Sequence, residues 1–227
     1  MALASVEGMS TELEEKVKPK LRGVSHQVAF FVALAAGALL VAAAPTPREA
    51  WAALVYALSL AGMFGISALY HRRWWTLAAR RRMRRVDHAA IFLLIAGTYT
   101  PVCVVGLGDA RGTLLLSVVW AGAALGLVHA LFFVNAFRRL NVVLYVLLGC
   151  AVVPLLPATF AALGTGRTSL LVAGGVVYIV GAVVYARRRP NPDPALFGYH
   201  EVFHLLVIAA SALHFASVFD LVARAGA

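Results

Sequence analysis

The chain has 227 residues, of which 62% are hydrophobic and 13% charged, with a mean hydropathy of +0.84. Soluble domains sit nearer half apolar and a quarter charged, so this is a membrane protein with length for one compact domain. The net charge of +10 does not point to nucleic acid, because the basic residues lie in short segments between apolar runs, which is a topology signal.

Residues 1–24 are polar and mixed in charge, from Glu12 to Arg22, and read as a solvated cytoplasmic tail with room for a short surface helix. The apolar run 28–44 follows basic residues and ends in AAAP, as a signal peptide would. The long region before it and the many runs after it favour a first membrane span instead. Further runs lie near 51–70, 88–107, 113–135, 142–162, 168–186 and 200–221. Each is close to the roughly 20 residues that cross a bilayer as a helix. Polar or turn segments separate them: PTPRE, the basic run 72–87, GDARG, NAFRRLN, GTGR and RRRPNPDP. Lipid offers the backbone no hydrogen-bond partner, and the ten-residue alternation of a barrel is missing, so helices are the spanning element. The expected fold is all-α, a polytopic bundle of seven transmembrane helices over residues 25–222, with a short tail at 223–227.

Sixteen of the twenty Lys and Arg residues fall in the tail and in the second–third, fourth–fifth and sixth–seventh loops. Only Arg48, Arg111, Arg167 and Arg224 fall on the other side. Positive charge stays inside, so the N-terminus is cytoplasmic and the C-terminus outside, as an odd number of spans requires. The location that follows is the cell membrane, multi-pass. Small residues in the first span (ALAAGALLVAAA) and at Gly174 and Gly175 allow close helix packing. Pro101, Pro154 and Pro157 lie in or near span ends and should bend them. Cys103 and Cys150 sit in apolar runs without C-x-x-C spacing and read as packing residues.

Ionisable groups at membrane depth are costly and tend to mark function. Span two ends with Ser67 and His71, span three begins at Asp87 and His88, and span seven begins with His200, Glu201 and His204. The topology puts all three ends on the cytoplasmic side. His200 and His204 are four apart, one turn up the same helix face, which suits two ligands of one metal ion or a pair of core histidines. With His71 they form a three-imidazole set that fits zinc with an open position for water. Asp87 is then a fourth ligand or the general base, and Ser67, one turn before His71, either positions water or a ligand or bonds back to its own helix. HEVFH also matches the H-E-x-x-H of zinc proteases, with Glu201 as base. Against that, no third ligand follows, and Glu201 also suits the cytoplasmic surface and the helix N-terminus. His214 lies ten residues beyond His204, off the metal face and about 15 Å further along, and reads as a core histidine. His26 and His129 lack ligand-spaced partners. His88 points away from Asp87, towards headgroups or a neighbouring helix. No glycine-rich phosphate loop occurs in a suitable context.

The motifs SALYH, RVDHAAIFLLIAGTYTP and GYHEVFHLLVIAASALHF resemble the hemolysin III family, the bacterial branch of the progestin and adiponectin receptor superfamily. The resemblance covers about residues 20–220. It implies seven helices with a cytoplasmic N-terminus and a zinc ion held by His71, His200 and His204, with Asp87 and Ser67 beside it. Related receptors and ceramidases imply a zinc-activated water that hydrolyses a lipid amide, with a membrane lipid as substrate or ligand. Glu201 departs from the glutamine-like residue of the eukaryotic receptors, which favours Asp87 as the base. The tail is short beside the cytoplasmic domain of those receptors, so receptor signalling is not carried over. Two other classes stand beside the hydrolase: a sensor, transporter or regulator with structural zinc, and the pore-forming cytolysin that the family name evokes.

Overall fold

The structure is a computed structural model that describes residues 18–133 and 138–225. The tail expected at 1–24 therefore falls outside the described residues as far as position 17. Among the described residues seven α-helices follow in order: α1 (Val24–Ala42), α2 (Pro47–Arg72), α3 (Leu77–Pro101), α4 (Ala110–Phe133), α5 (Arg138–Gly149), α6 (Leu156–Arg187) and α7 (Tyr199–Ala223). No strand occurs among the described residues. Among the described residues six helical stretches are long and apolar enough to cross a membrane.

The fifth of these stretches runs from Leu140 to Arg187, 48 residues. As one straight helix it would reach about 72 Å, more than twice a hydrocarbon core of about 30 Å. It is not straight. A 3₁₀ segment, Cys150–Leu155, joins α5 to α6, and inside α6 Gly164 has φ 80° and ψ 166°. The Thr168 hydroxyl donates to the Thr159 carbonyl at 3.2 Å. Nine residues along a helix are about 13.5 Å apart, so the chain doubles back at Gly164. That is where the sequence placed its GTGR loop.

Helix starts follow capping chemistry. Thr46 accepts from the Arg48 amide, with Pro47 in the first helical position. Thr76 accepts from the Ala79 amide and opens α3. The segment 72–87, expected as a loop, is therefore mostly helix: only 73–76 connects α2 to α3. Arg and Ala are good helix formers and the run has no Gly or Pro, so charge there marks a helix end that reaches into the headgroups. Each of the three prolines sits at an irregularity. Pro101 precedes a π-helical stretch, Val102–Leu107; Pro154 lies in the 3₁₀ segment; Pro157 is in the first turn of α6.

α1 packs on α2, α2 on α3, α3 on α4 and α6 on α7, and α7 closes the arrangement against α1. The buried stripe of α1 is His26, Ala29, Ala33, Gly37 and Leu40, and a Cβ on Gly37 would meet that of Ala57 at 2.8 Å. Small residues thus bring α1 and α2 into contact. Phe31, Trp51, Leu114, Leu125 and Phe132 are exposed on the outside. So much outward apolar surface suits lipid.

Candidate metal centre

Helix α7 begins at Gly198, whose amide donates to Glu201 Oε2 at 2.8 Å. The other carboxylate oxygen, Oε1, pairs with Arg22 Nε at 2.5 Å. Glu201 is 1% exposed, so it is a buried helix cap and ion pair rather than the surface residue expected from the sequence. Arg22 belongs to the segment before α1, and that segment is tied down further. The amides of Lys20 and Leu21 donate to the carbonyls of Ala195 and Leu196 in the α6–α7 connection. Residues 18–23 therefore pack against the bundle instead of trailing as solvated tail.

One turn of α7 presents His200 and His204, and the last turn of α2 presents His71. The ring centroids are 4.5 Å apart for His200 and His204, 4.7 Å for His71 and His200, and 5.0 Å for His71 and His204. One nitrogen from each lies within 4.8 Å of the others. His71 Nε2 and His200 Nε2 are 3.2 Å apart. Two ligands of a tetrahedral zinc ion, each about 2.05 Å from it, stand about 3.3 Å apart. His204 Nδ1 is buried without a hydrogen-bond partner. Three imidazoles, one with an orphaned nitrogen, are a donor set that fits a metal ion. Asp87 lies outside this cluster of ligand atoms.

A second layer supports the histidines. His26 of α1 stacks on His204 with centroids 3.7 Å apart and planes 9° from parallel. Its Nδ1 is 2.8 Å from Ser67 Oγ. The Ser67 hydroxyl thus bonds across to α1 rather than back to its own helix, and it also interacts with the Asp87 carboxyl on α3. Asp87, half-buried, has Tyr70, Arg84 and Tyr145 around it. Gly23 fixes the approach of α1 to α2. It has φ +78°, and a Cβ there would lie 2.6 Å from the Cβ of His71.

A cavity of about 730 Å³ opens beside the histidines. Ser67, His71, Asp87, His200 and His204 are among its lining residues, and so are Thr98, Cys150, Gly175 and His214. Leu94, Ile95, Val146 and Ile179 add apolar lining.

Residues 15–215 match the family model described as haemolysin-III related. The chain belongs to that family. Among curated relatives, the Hemolysin-3 of Bacillus cereus is 29% identical over 209 residues, which cover 90% of this chain and 92% of that protein. A Hemolysin-3 homolog of Bacillus subtilis (strain 168) is 29% identical over 201 residues, 85% and 88% of the two chains. The adiponectin receptor protein of Drosophila melanogaster is 29% identical over 157 residues, 62% of this chain and 35% of the receptor. With its six apolar helical stretches, this haemolysin-III-related protein is a multi-pass protein of the cell membrane.

Of the residues singled out in the sequence, His71, His200 and His204 come together, with Ser67 and Asp87 beside them. The remaining histidines are engaged elsewhere. His214 Nε2 donates to the Leu171 carbonyl at 2.9 Å, as a core histidine should. His129 Nδ1 is 2.8 Å from Asn141 Oδ1. His88 meets a neighbouring helix, since Tyr145 donates to its carbonyl at 2.9 Å. Cys103 and Cys150 are free thiols in apolar surroundings. Two participants were missed. His26 heads the i+3, i+4 stripe of small residues on α1, and that register would have turned it inward. Arg22 gave no signal, because its partner is 179 positions away in the chain.

Proposed function

We propose that this haemolysin-III-related protein crosses the membrane seven times, N-terminus inside, and hydrolyses a lipid amide with zinc at its cytoplasmic end. The reversal at Gly164 supports two crossings within the 48-residue stretch, and the positive-inside bias supports the orientation. The observation that carries the activity is the three-imidazole cluster in the lining of a cavity about 730 Å³ in volume that is otherwise largely apolar. A packed interior would have left no place for an acyl chain.

His71, His200 and His204 would hold the zinc ion. When bound, zinc supplies a Lewis acid and brings the pKa of its water down to about 7. Asp87 is the general base and takes the proton of the attacking water. Ser67, between Asp87 and His26, orients the carboxylate. His26 steadies the His204 ring by stacking. The cavity wall seats the acyl chain and brings the amide to the histidines. Glu201 takes no part in the chemistry, because Arg22 and the Gly198 amide occupy its oxygens.

Turnover of long-chain N-acyl lipids by the purified protein tests this. Wild type should release fatty acid, and Asp87→Ala should reduce turnover by at least about 100-fold, the usual worth of a positioned base. Turnover that survives Asp87→Ala would exclude Asp87 as the base.

A further inference from the structure

The mouth of the cavity has a chemistry of its own. Lys18, Arg22, Arg73, Arg80 and Arg84 are among the cavity's lining residues, Arg73 and Arg80 with exposed side chains that mark where it meets solvent, and Asp87 is the acidic side chain among the described lining residues. Arg22 is matched by Glu201, and Arg84 lies beside Asp87. Lys18 and Arg73 instead rest on aromatic faces. The Lys18 ammonium is 4.4 Å from the centre of the Trp74 ring, and Arg73 lies 5.7 Å from that of Trp75. The positive-inside bias calls for cations in this loop, but not for their convergence on one opening from the α1 approach, the α2–α3 connection and α3.

We propose that this mouth is a phosphate-binding subsite that seats the headgroup of a phosphate-bearing lipid while the lipid's acyl chain fills the cavity. Several cations arranged around one opening, guanidinium groups among them, suit an anion with several oxygens. The Lys18 ammonium is held below its ordinary pKa by burial first, then by the positive charges of Arg22 and Arg72. The occupant is a lipid rather than free phosphate because Leu94, Ile95, Val146 and Ile179 give the same cavity an apolar lining. Trp74 is also 64% exposed at the rim, where tryptophan marks the headgroup level. The subsite deepens the lipid-site reading above, on which it rests, by naming the headgroup.

The test measures binding to the full chain in neutral detergent, by quenching of tryptophan fluorescence. The probes are oleoyl-glycerol phosphate, monooleoylglycerol and inorganic phosphate. The phosphate lipid should bind at least about tenfold more tightly than the neutral lipid. Lys18→Gln and Arg73→Gln should each weaken it about fivefold, while Arg73→Lys should recover most of that loss. Thermal unfolding without ligand identifies any variant that has lost its fold, and the lysine variant keeps the charge argument testable in that case. Equal binding of the neutral lipid, unchanged binding by both glutamine variants, or displacement of the lipid by inorganic phosphate at equal concentration would overturn the proposal. His204→Ala should retain the headgroup preference. A protein that discriminates headgroups but hydrolyses no lipid amide would refute the hydrolase and leave the subsite standing. One that hydrolyses neutral amides without headgroup preference would do the reverse.

Discussion

Gly23 offers a controlled test of how α1 sets the metal centre. Gly23 (φ +78°) and Gly108 (φ +63°) share the left-handed conformation, but their surroundings differ. At Gly108 a Cβ meets nothing within 4 Å; at Gly23 it would lie 2.6 Å from His71 Cβ. An alanine in this conformation costs about 1–2 kcal/mol at either position. Gly23→Ala adds an overpacking cost of about 1–3 kcal/mol. Carbon atoms settle at about 3.5–4.0 Å, so His71 must retreat by about 1 Å. Metal sites tolerate about 0.2 Å, so zinc should be lost along with the stability. Thermal unfolding in detergent and bound zinc per chain, compared across wild type, Gly23→Ala and Gly108→Ala, read both effects. Gly108→Ala should lose about 1–2 kcal/mol and keep its zinc; Gly23→Ala should lose about 2–5 kcal/mol and most of the metal. Equal stability losses with zinc retained in both would refute the reasoning.

Glu201→Gln keeps a cap for the Gly198 amide but leaves Arg22 without its counter-charge. It should cost about 2–3 kcal/mol in thermal unfolding, less than a fully buried pair because the Arg22 side chain is 20% exposed. Zinc content should not change, and a stable but inactive variant would restore Glu201 as a candidate base. His26→Ala removes the bond to Ser67 and the stack on His204, and should weaken zinc binding about 10–100-fold in chelator competition. His26→Phe, which keeps an aromatic ring, should recover stability but not the Ser67 bond, and a His26→Ala variant with wild-type zinc affinity would remove His26 from the site. At the opposite end, Arg167 Nε pairs with Asp220 Oδ2 at 2.7 Å, half-exposed. Arg167→Gln should cost no more than about 1 kcal/mol and leave bound zinc as in wild type.

The helices were legible because a chain in lipid must satisfy its backbone within each apolar run, and hydropathy reads those runs directly. The start of α3 was not, since residues 77–86 are helical by propensity and capping while their arginines mimic a loop. The histidine triad was legible because His200 and His204 share a face by spacing alone, and positive-inside counting put His71 at the same depth. Contacts that join distant helices left weaker marks. His26 touches His204 and Ser67 only because α1 packs through Ala29, Ala33 and Gly37, and Gly23 matters only because of where α2 ends. Glu201 sits in a protease-like motif that lacked its third ligand, and its actual partner, Arg22, is far away in the chain.

X-ray absorption at the zinc edge, with metal analysis of wild type and His204→Ala, tests the central claim most directly. The account predicts about one zinc per chain in wild type, three imidazole nitrogens at about 2.0–2.1 Å and one exchangeable oxygen. His204→Ala should lose the metal. A wild-type protein without zinc, a closed shell with no exchangeable oxygen, or unchanged zinc in His204→Ala would contradict it.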